Sequence, residues 1–123
     1  CIRPLLVTFD FTIKNVIERE KEGFRWLYYY VTPEDTARCF RLALEAEDLA
    51  YDTIFASAAD NASLIPTLDV MRRNRILPFP EIRAPALYRK NPNASPFDIE
   101  HGKRAIGFEP SSSWKSLIAS VKS

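Results

Sequence analysis

The 123-residue chain is 46% hydrophobic and 27% charged, an ordinary globular composition with enough apolar side chains for one core, and residues 1–123 read as a single unit. With 17 Lys and Arg against 16 Asp and Glu the formal charge is +1, so the total indicates neither a phosphate-binding surface nor an acidic tail, and no nucleic-acid partner is expected. No apolar run approaches the roughly 20 residues of a membrane span, and the opening CIRPLLVTFDF lacks the length and cleavage site of a signal peptide, so no membrane contact is expected and the chain reads as cytoplasmic.

In chain order, CIRPLLVTF is a short aliphatic and β-branched run without polar alternation, which predicts a buried strand covered on both faces. FTIKNVIEREKEG follows, with Ile13, Val16 and Ile17 at helical spacing and Gly23 as a C-terminal stop, an amphipathic helix. FRWLYYYV is aromatic-rich and β-prone, and AYDTIFASAAD has the composition of a further buried strand; both are expected to be central rather than edge strands. Between them TPEDTARCFRLALEAED carries the clearest local signal: Thr32 as N-cap, Pro33 at the first helical position and Asp35 completing a Thr-x-x-Asp variant of the capping box. Ala37, Phe40, Ala43 and Leu44 form the apolar stripe of that helix, with Arg38, Arg41 and Glu45 facing away. A shorter helix is expected over PTLDVMRRN, then a proline-punctuated stretch, LPFPEIRAPALYRKNPNASP, that reads more as loop than as element. Ser95-Pro96-Phe97-Asp98 repeats the capping grammar and predicts a helix that ends before Gly107. Past Pro110, the serines of SSSW can cap a last helix holding Trp114, Leu117, Ile118 and Val121. The alternation predicts an α/β fold with few, partly parallel strands and about five helices.

Self-contained chemistry is scarce. Three glycines, at 23, 102 and 107, leave no place for a Gly-rich dinucleotide or phosphate loop. There is no Cys/His cluster for a metal, and the two thiols, Cys1 and Cys39, read as reduced and buried rather than bridged. The single histidine, His101, lies in a predicted amphipathic helix and reads as a solvated surface residue, as do the Glu18/Glu20 and Glu45/Glu47 pairs. The sequons at Asn61 and Asn93 are read as turn and cap residues.

Four segments, in order, resemble the C-terminal portion of the extended short-chain dehydrogenase/reductases, the NAD(P)-dependent sugar epimerases and dehydratases. IRPLLV resembles the strand after the catalytic helix. YYYVTPEDTARCFRLALEA resembles a Tyr-x-x-Val-x-Asp-x-Ala segment and its helix, with Tyr30, Val31, Asp35 and Ala37 in matching places. YDTIFASAADNASLIPTLDVM resembles the late strand and the Thr-initiated helix beyond it, and FDIEHGKRAIGFEPSSSW the closing Asp-x-x-Lys-Ala-x-x-x-Leu-Gly-aromatic-x-Pro element, here Asp98, Lys103, Arg104, Ile106, Gly107, Phe108 and Pro110.

The resemblance implies the substrate-side part of a Rossmann-type enzyme without its Gly-rich nucleotide-binding half, so that NAD or NADP is bound mainly by residues outside this sequence and no metal is involved. It implies a sugar or nucleotide-sugar substrate, with the missing N-terminal half or a second copy of the chain as partner. The family's Tyr-x-x-x-Lys pair is absent: Tyr28, Tyr29, Tyr30, Tyr51 and Tyr88 are followed four positions on by Thr32, Pro33, Glu34, Phe55 and Pro92, so no catalytic residue is assigned and the chain is expected to be inactive alone. Arg89 is the candidate for gripping a pyrophosphate, with a solvated arginine in a polar loop as the alternative. A second family arginine is replaced in register by Tyr28, which leaves Arg25 as the nearest basic residue. Thr8 stands where the first strand should meet the cleft, although the usual Tyr-Gly-Pro is here TFD. Trp26 and Tyr30 either line the substrate pocket or pack the core, and Asp35 is expected to serve as the helix cap. Two other readings stay open: a non-catalytic binding or oligomerisation module derived from the same fold, and an unrelated small α/β domain.

Overall fold

The structure, a computed structural model, describes residues 1–21, 29–48, 50–74 and 77–122. The chain opens with β1 (Ile2–Pro4), passes through Val7 and Thr8 into α1 (Asp10–Lys21), and continues through α2 (Pro33–Glu45) to β2 (Ile54–Ala56). Four shorter helices follow: α3 (Thr67–Arg73), α4 (Pro85–Lys90), α5 (Glu100–Ile106) and α6 (Trp114–Lys122). β1 and β2 pair in parallel with Ile2 opposite Ile54 and Pro4 opposite Ala56. Beyond Pro4 the two strands splay and residues 30–31 enter between them: Val31 N–H donates to Leu6 C=O at 2.9 Å, and Ala58 N–H donates to Tyr30 C=O at 2.8 Å. Val7 and Val31 form a parallel bridge there.

Side chains alternate across an extended segment, so Tyr30 and Val31 enter different cores. Tyr30 joins Ile13, Val16, Ala58, Ala62, Val70 and Trp114, with Leu117, Ile118 and Val121 of α6 packed around them. Val31 joins Cys39, Ile54, Ala56 and Phe108 beneath the β1–β2 pair. The expected stripes of α1 and α6 therefore meet each other. Ser113 holds the start of α6, its hydroxyl accepting from Ser116 N–H at 3.2 Å while the Ser116 hydroxyl accepts from Ser113 N–H at 3.3 Å, a capping box built from two serines.

Elsewhere tertiary contacts override local expectation. β1 is only three residues long and exposes Arg3 and Pro4, so the first strand is not covered on both faces as expected. β2, expected to be central, has β1 as its one paired strand among the described residues, joined past its end by the Ala58–Tyr30 bond. FRWLYYYV falls mostly outside the described residues, as does Gly23.

α2 starts as its sequence predicts, with Thr32 Oγ1 accepting from Asp35 N–H at 3.2 Å. Its rotation about its own axis does not follow the hydrophobic pattern. Ala37, Phe40 and Leu44 face outward, Leu44 at 87% exposure, while Asp35 and Cys39 are buried. Polar contacts provide the reason. The Asp35 carboxylate accepts the backbone N–H of Ser111 at 3.0 Å, its hydroxyl at 2.8 Å and Arg38 Nη2 at 2.7 Å. Arg38 also donates to Glu109 C=O and lies over the Phe108 ring. Asp35 thus ties α2 to the C-terminal segment through its side chain, beyond its place in the helix's first turn.

The proline-rich stretch contains a helix after all: Pro85 opens α4, its fixed φ suiting the first helical position. The capping grammar at Ser95 does not start one. Ser95 Oγ accepts Phe97 N–H at 3.2 Å and lies 3.0 Å from Ser57 Oγ, closing a turn against the β2 segment, and α5 begins five residues later. The stop at Gly107 is as expected, with φ of 70° in the left-handed region that a residue bearing Cβ resists. Both cysteines are free; Cys39 is buried and Cys1 is exposed, contrary to its expected burial.

Candidate ligand-binding groove

Ligand sites in α/β proteins collect outside the carboxyl ends of parallel strands, where loops leading into helices are free to vary. In this chain that position is occupied by an open groove of about 510 Å³. Thr8, at the end of the first segment, donates its backbone N–H to Val31 C=O at 2.9 Å and its hydroxyl to the same oxygen at 3.2 Å. This double anchor fixes where two chains leave the pairing, one turning into α1 and the other into α2, so both helix N-termini border the groove. Ile13 and Leu117 contribute apolar surface. Phe9 and Phe11 stand at the rim with parallel rings, 5.8 Å between centroids and 4° between planes, and both are exposed. Asp10 and Glu34, in the first turns of α1 and α2, place carboxylates where they complement the positive ends of the two helices.

Of the sequence-derived site residues, Thr8 lies in this groove. Tyr30 is fully buried in the core; its hydroxyl donates to Asp60 Oδ1 at 2.5 Å, and Asp60 Oδ2 accepts Trp114 N–H at 2.9 Å. Burial pushes the Tyr30 phenol far above its ordinary value, reinforced by the neighbouring Asp60 carboxylate, and burial also raises Asp60 despite the two hydrogen bonds that favour its charged form. Arg89 is exposed on α4 and is not part of the groove lining. Arg25 and Trp26 lie outside the described residues. Sequence reasoning did not single out Phe9, Asp10, Phe11 or Glu34. The run TFDF held a signal, since two phenylalanines around an aspartate at a strand-to-helix junction cannot all be buried there.

His101 Nε2 and Asp52 Oδ1 lie 2.7 Å apart on the molecule's outside, and this hydrogen bond, with the Thr53 N–H, holds Asp52 below the usual carboxylate range. Neither described glycine forms a phosphate cradle: a Cβ on Gly102 would meet Ile54 Cγ2 at 3.0 Å, so that glycine permits helix α5 to approach β2, and Gly107 terminates α5. Among the described residues no glycine-built cradle for a dinucleotide's phosphates is present. Among the described residues no group of three His, Cys, Asp or Glu is arranged to hold a metal ion, and no helix is long and apolar enough to cross a membrane.

Six helices around a two-stranded parallel sheet, among the described residues, define a small α/β domain with a groove at the strands' carboxyl ends. Comparison with protein-family models, with curated proteins and with solved structures finds no significant match to the chain.

Proposed function

We propose that this chain is the substrate-side, C-terminal portion of an NAD(P)-dependent epimerase/dehydratase-like oxidoreductase of the extended short-chain dehydrogenase/reductase kind, inactive by itself. The observation that carries the reading is the place of Thr8: the residue assigned by resemblance to the meeting of strand and cleft borders the groove at the end of the parallel segments. The ordered match of four segments supports it, as does the lack of a glycine-built cradle for a dinucleotide's phosphates among the described residues, since in this reading the dinucleotide is held by the other half of the enzyme. The groove then supplies the substrate's side of the cleft and shields it from water. Intact-mass measurement and peptide mapping of the native polypeptide test the reading. A longer polypeptide containing a Gly-rich strand–turn–helix and a Tyr-x-x-x-Lys pair is expected; a native polypeptide without them overturns it.

The same reading predicts that saturating NAD(H) or NADP(H) leaves the thermal midpoint of the isolated chain unchanged. A specific site filled at a hundred times its Kd would add about 2.7 kcal/mol of stability. For a chain of this size that is a rise of roughly 5–15 °C, and such a rise in differential scanning fluorimetry would place the cofactor site here instead.

A second reading, a non-catalytic binding or oligomerisation module, is favoured by the outward stripe Ala37–Phe40–Leu44 on α2, which has the spacing of a helix face made to be covered. It predicts a scattering mass above the 14.1 kDa of one chain, returning to one chain's mass in Leu44→Glu. A clean monomer at high concentration that binds no hydrophobic dye counts against it.

A further inference from the structure

Resting on the oligomerisation reading, we propose that the partner is a second copy of this chain, and that a basic arm of each copy, residues 77–92, seats in an acidic groove at the C-terminal end of α2 of the other. The arm is defined by its exposure. Every residue from 77 to 92 is exposed except Ile82 and Tyr88, and α4 within it buries none of its six residues. The Tyr88 hydroxyl, donating to Ser95 C=O at 3.0 Å, anchors α4 to the body, while Leu77 and Leu87 stand 83% and 45% exposed. Charge collects at the same place. Between Asp69 and Asp98 the sequence holds six basic residues and one acidic, Glu81, so this stretch carries +5 and the rest of the chain −4. Arg72 and Arg73 are engaged with Asp69 and Glu20, but Arg83, Arg89 and Lys90 have no side-chain partner among the described residues.

The groove has the complementary chemistry. It encloses about 390 Å³ where α2 ends beside α5, with Leu42, Ala105 and Ile106 as apolar surface and Glu45, Glu47 and Asp48 as carboxylates. No Lys or Arg is among its described lining residues, and α2 has no basic residue in its last turn. Arg41 reaches Glu45 at 3.7 Å, between two exposed side chains, and Glu47 and Asp48 have no side-chain partner among the described residues. Three carboxylates at the negative end of a helix repel one another and the helix's own carbonyls, so a cation brought from outside relieves a repulsion that the single chain leaves in place. Guanidinium groups pair with carboxylates bidentately, and Leu87 supplies apolar surface to meet Leu42 and Ile106. With arm and groove on every chain, two copies related by a twofold axis make the contact twice and leave neither surface open. Complementary charge of this kind fixes the register of a contact and makes it sensitive to salt.

Light scattering of the chain at low salt is expected to give twice the 14.1 kDa of one copy, with the dimer dissociation constant rising about tenfold or more by roughly 0.5 M salt, where the screening length is about 4 Å. Arm reversal, Arg83→Glu/Arg89→Glu/Lys90→Glu, and groove reversal, Glu45→Lys/Glu47→Lys/Asp48→Lys, should each give monomers with unchanged helical circular dichroism, all six positions being exposed. Mixed one to one, the two variants should recover the mass of two chains, because each arm then meets a groove of opposite charge. A merely structural role for either set of side chains cannot produce that rescue. Association that persists in both variants and at high salt, or a mixture that stays monomeric, overturns the contact between arm and groove and leaves the oligomerisation reading to Leu44→Glu. A monomeric parent chain overturns both. If that monomer binds phosphatidylserine vesicles and the arm reversal abolishes the binding, the arm belongs to an anionic lipid surface instead.

Discussion

Trp114→Ala is expected to lower the unfolding free energy by about 4 kcal/mol, the range for emptying a buried indole site. The side chain is 1% exposed, packs against the Tyr30 ring at 5.3 Å and sits where α6 meets α1, among Ile13, Val16, Leu117 and Ile118. The cavity cannot be filled by local collapse, because Tyr30 is tied to Asp60 and Asp60 to the backbone N–H of residue 114 itself. The indole Nε1 is buried without a partner among the described residues, so part of what the ring contributes is offset by that N–H. Trp114→Phe, which removes that donor and keeps most of the apolar surface, should therefore cost less than half as much. Urea unfolding of the two variants checks both values; an Ala variant within about 1 kcal/mol of the parent would mean that this core is not as packed as described.

Asp35→Ala should cost about 3 kcal/mol, the penalty for removing one member of a buried charged network. Its carboxylate, 2% exposed, serves three donors: Ser111 N–H, the Ser111 hydroxyl and Arg38 Nη2. Deleting it strands the Ser111 amide and leaves Arg38 with Glu109 C=O alone. Little of the loss belongs to the ion pair as such, since the Arg38 side chain is 35% exposed and solvent screens the attraction. Asp35→Asn preserves shape and one acceptor and should recover roughly half, whereas Ser111→Ala, which leaves the amide bond in place, should cost about 1 kcal/mol. The same unfolding measurements decide it. If Ala and Asn are equally tolerated, the clamp between α2 and the C-terminal segment does not set the rotation of the helix.

That rotation shows how much was legible beforehand. The existence of α2, its N-cap at Thr32 and its proline at the first position are local properties, readable because a cap needs a side chain only three residues from its partner. Which side of the helix faces inward is not local. Hydrophobic spacing named Ala37, Phe40, Ala43 and Leu44, yet a carboxylate 76 residues from its serine partner turns the helix by its hydrogen bonds. The candidate site divides in the same way. Thr8 was assigned by the family resemblance, at the end of the first strand, and it borders the groove. Phe9, Asp10, Phe11 and Glu34 became a group only when Val31 paired beside Val7 and brought two helix starts to one place. Tyr30, assigned to pocket or core, was decided by the alternation that points its neighbour Val31 to the opposite side of the chain.

What the amino-acid sequence determined alone is the set of α/β elements that sit on short-range chemistry: amphipathic α1 and α6, the capped start of α2, the glycine stop of α5 at φ 70°, and the lack of a Gly-rich phosphate loop. Each rests on interactions spanning a few residues, where spacing in sequence is spacing in space. Only the tertiary structure decided the splay that admits residues 30–31 between the strands, the outward stripe on α2 and the acidic, aromatic groove. These depend on contacts between residues tens of positions apart, and the energy that selects them lies in buried hydrogen bonds and shared cores that no local pattern encodes.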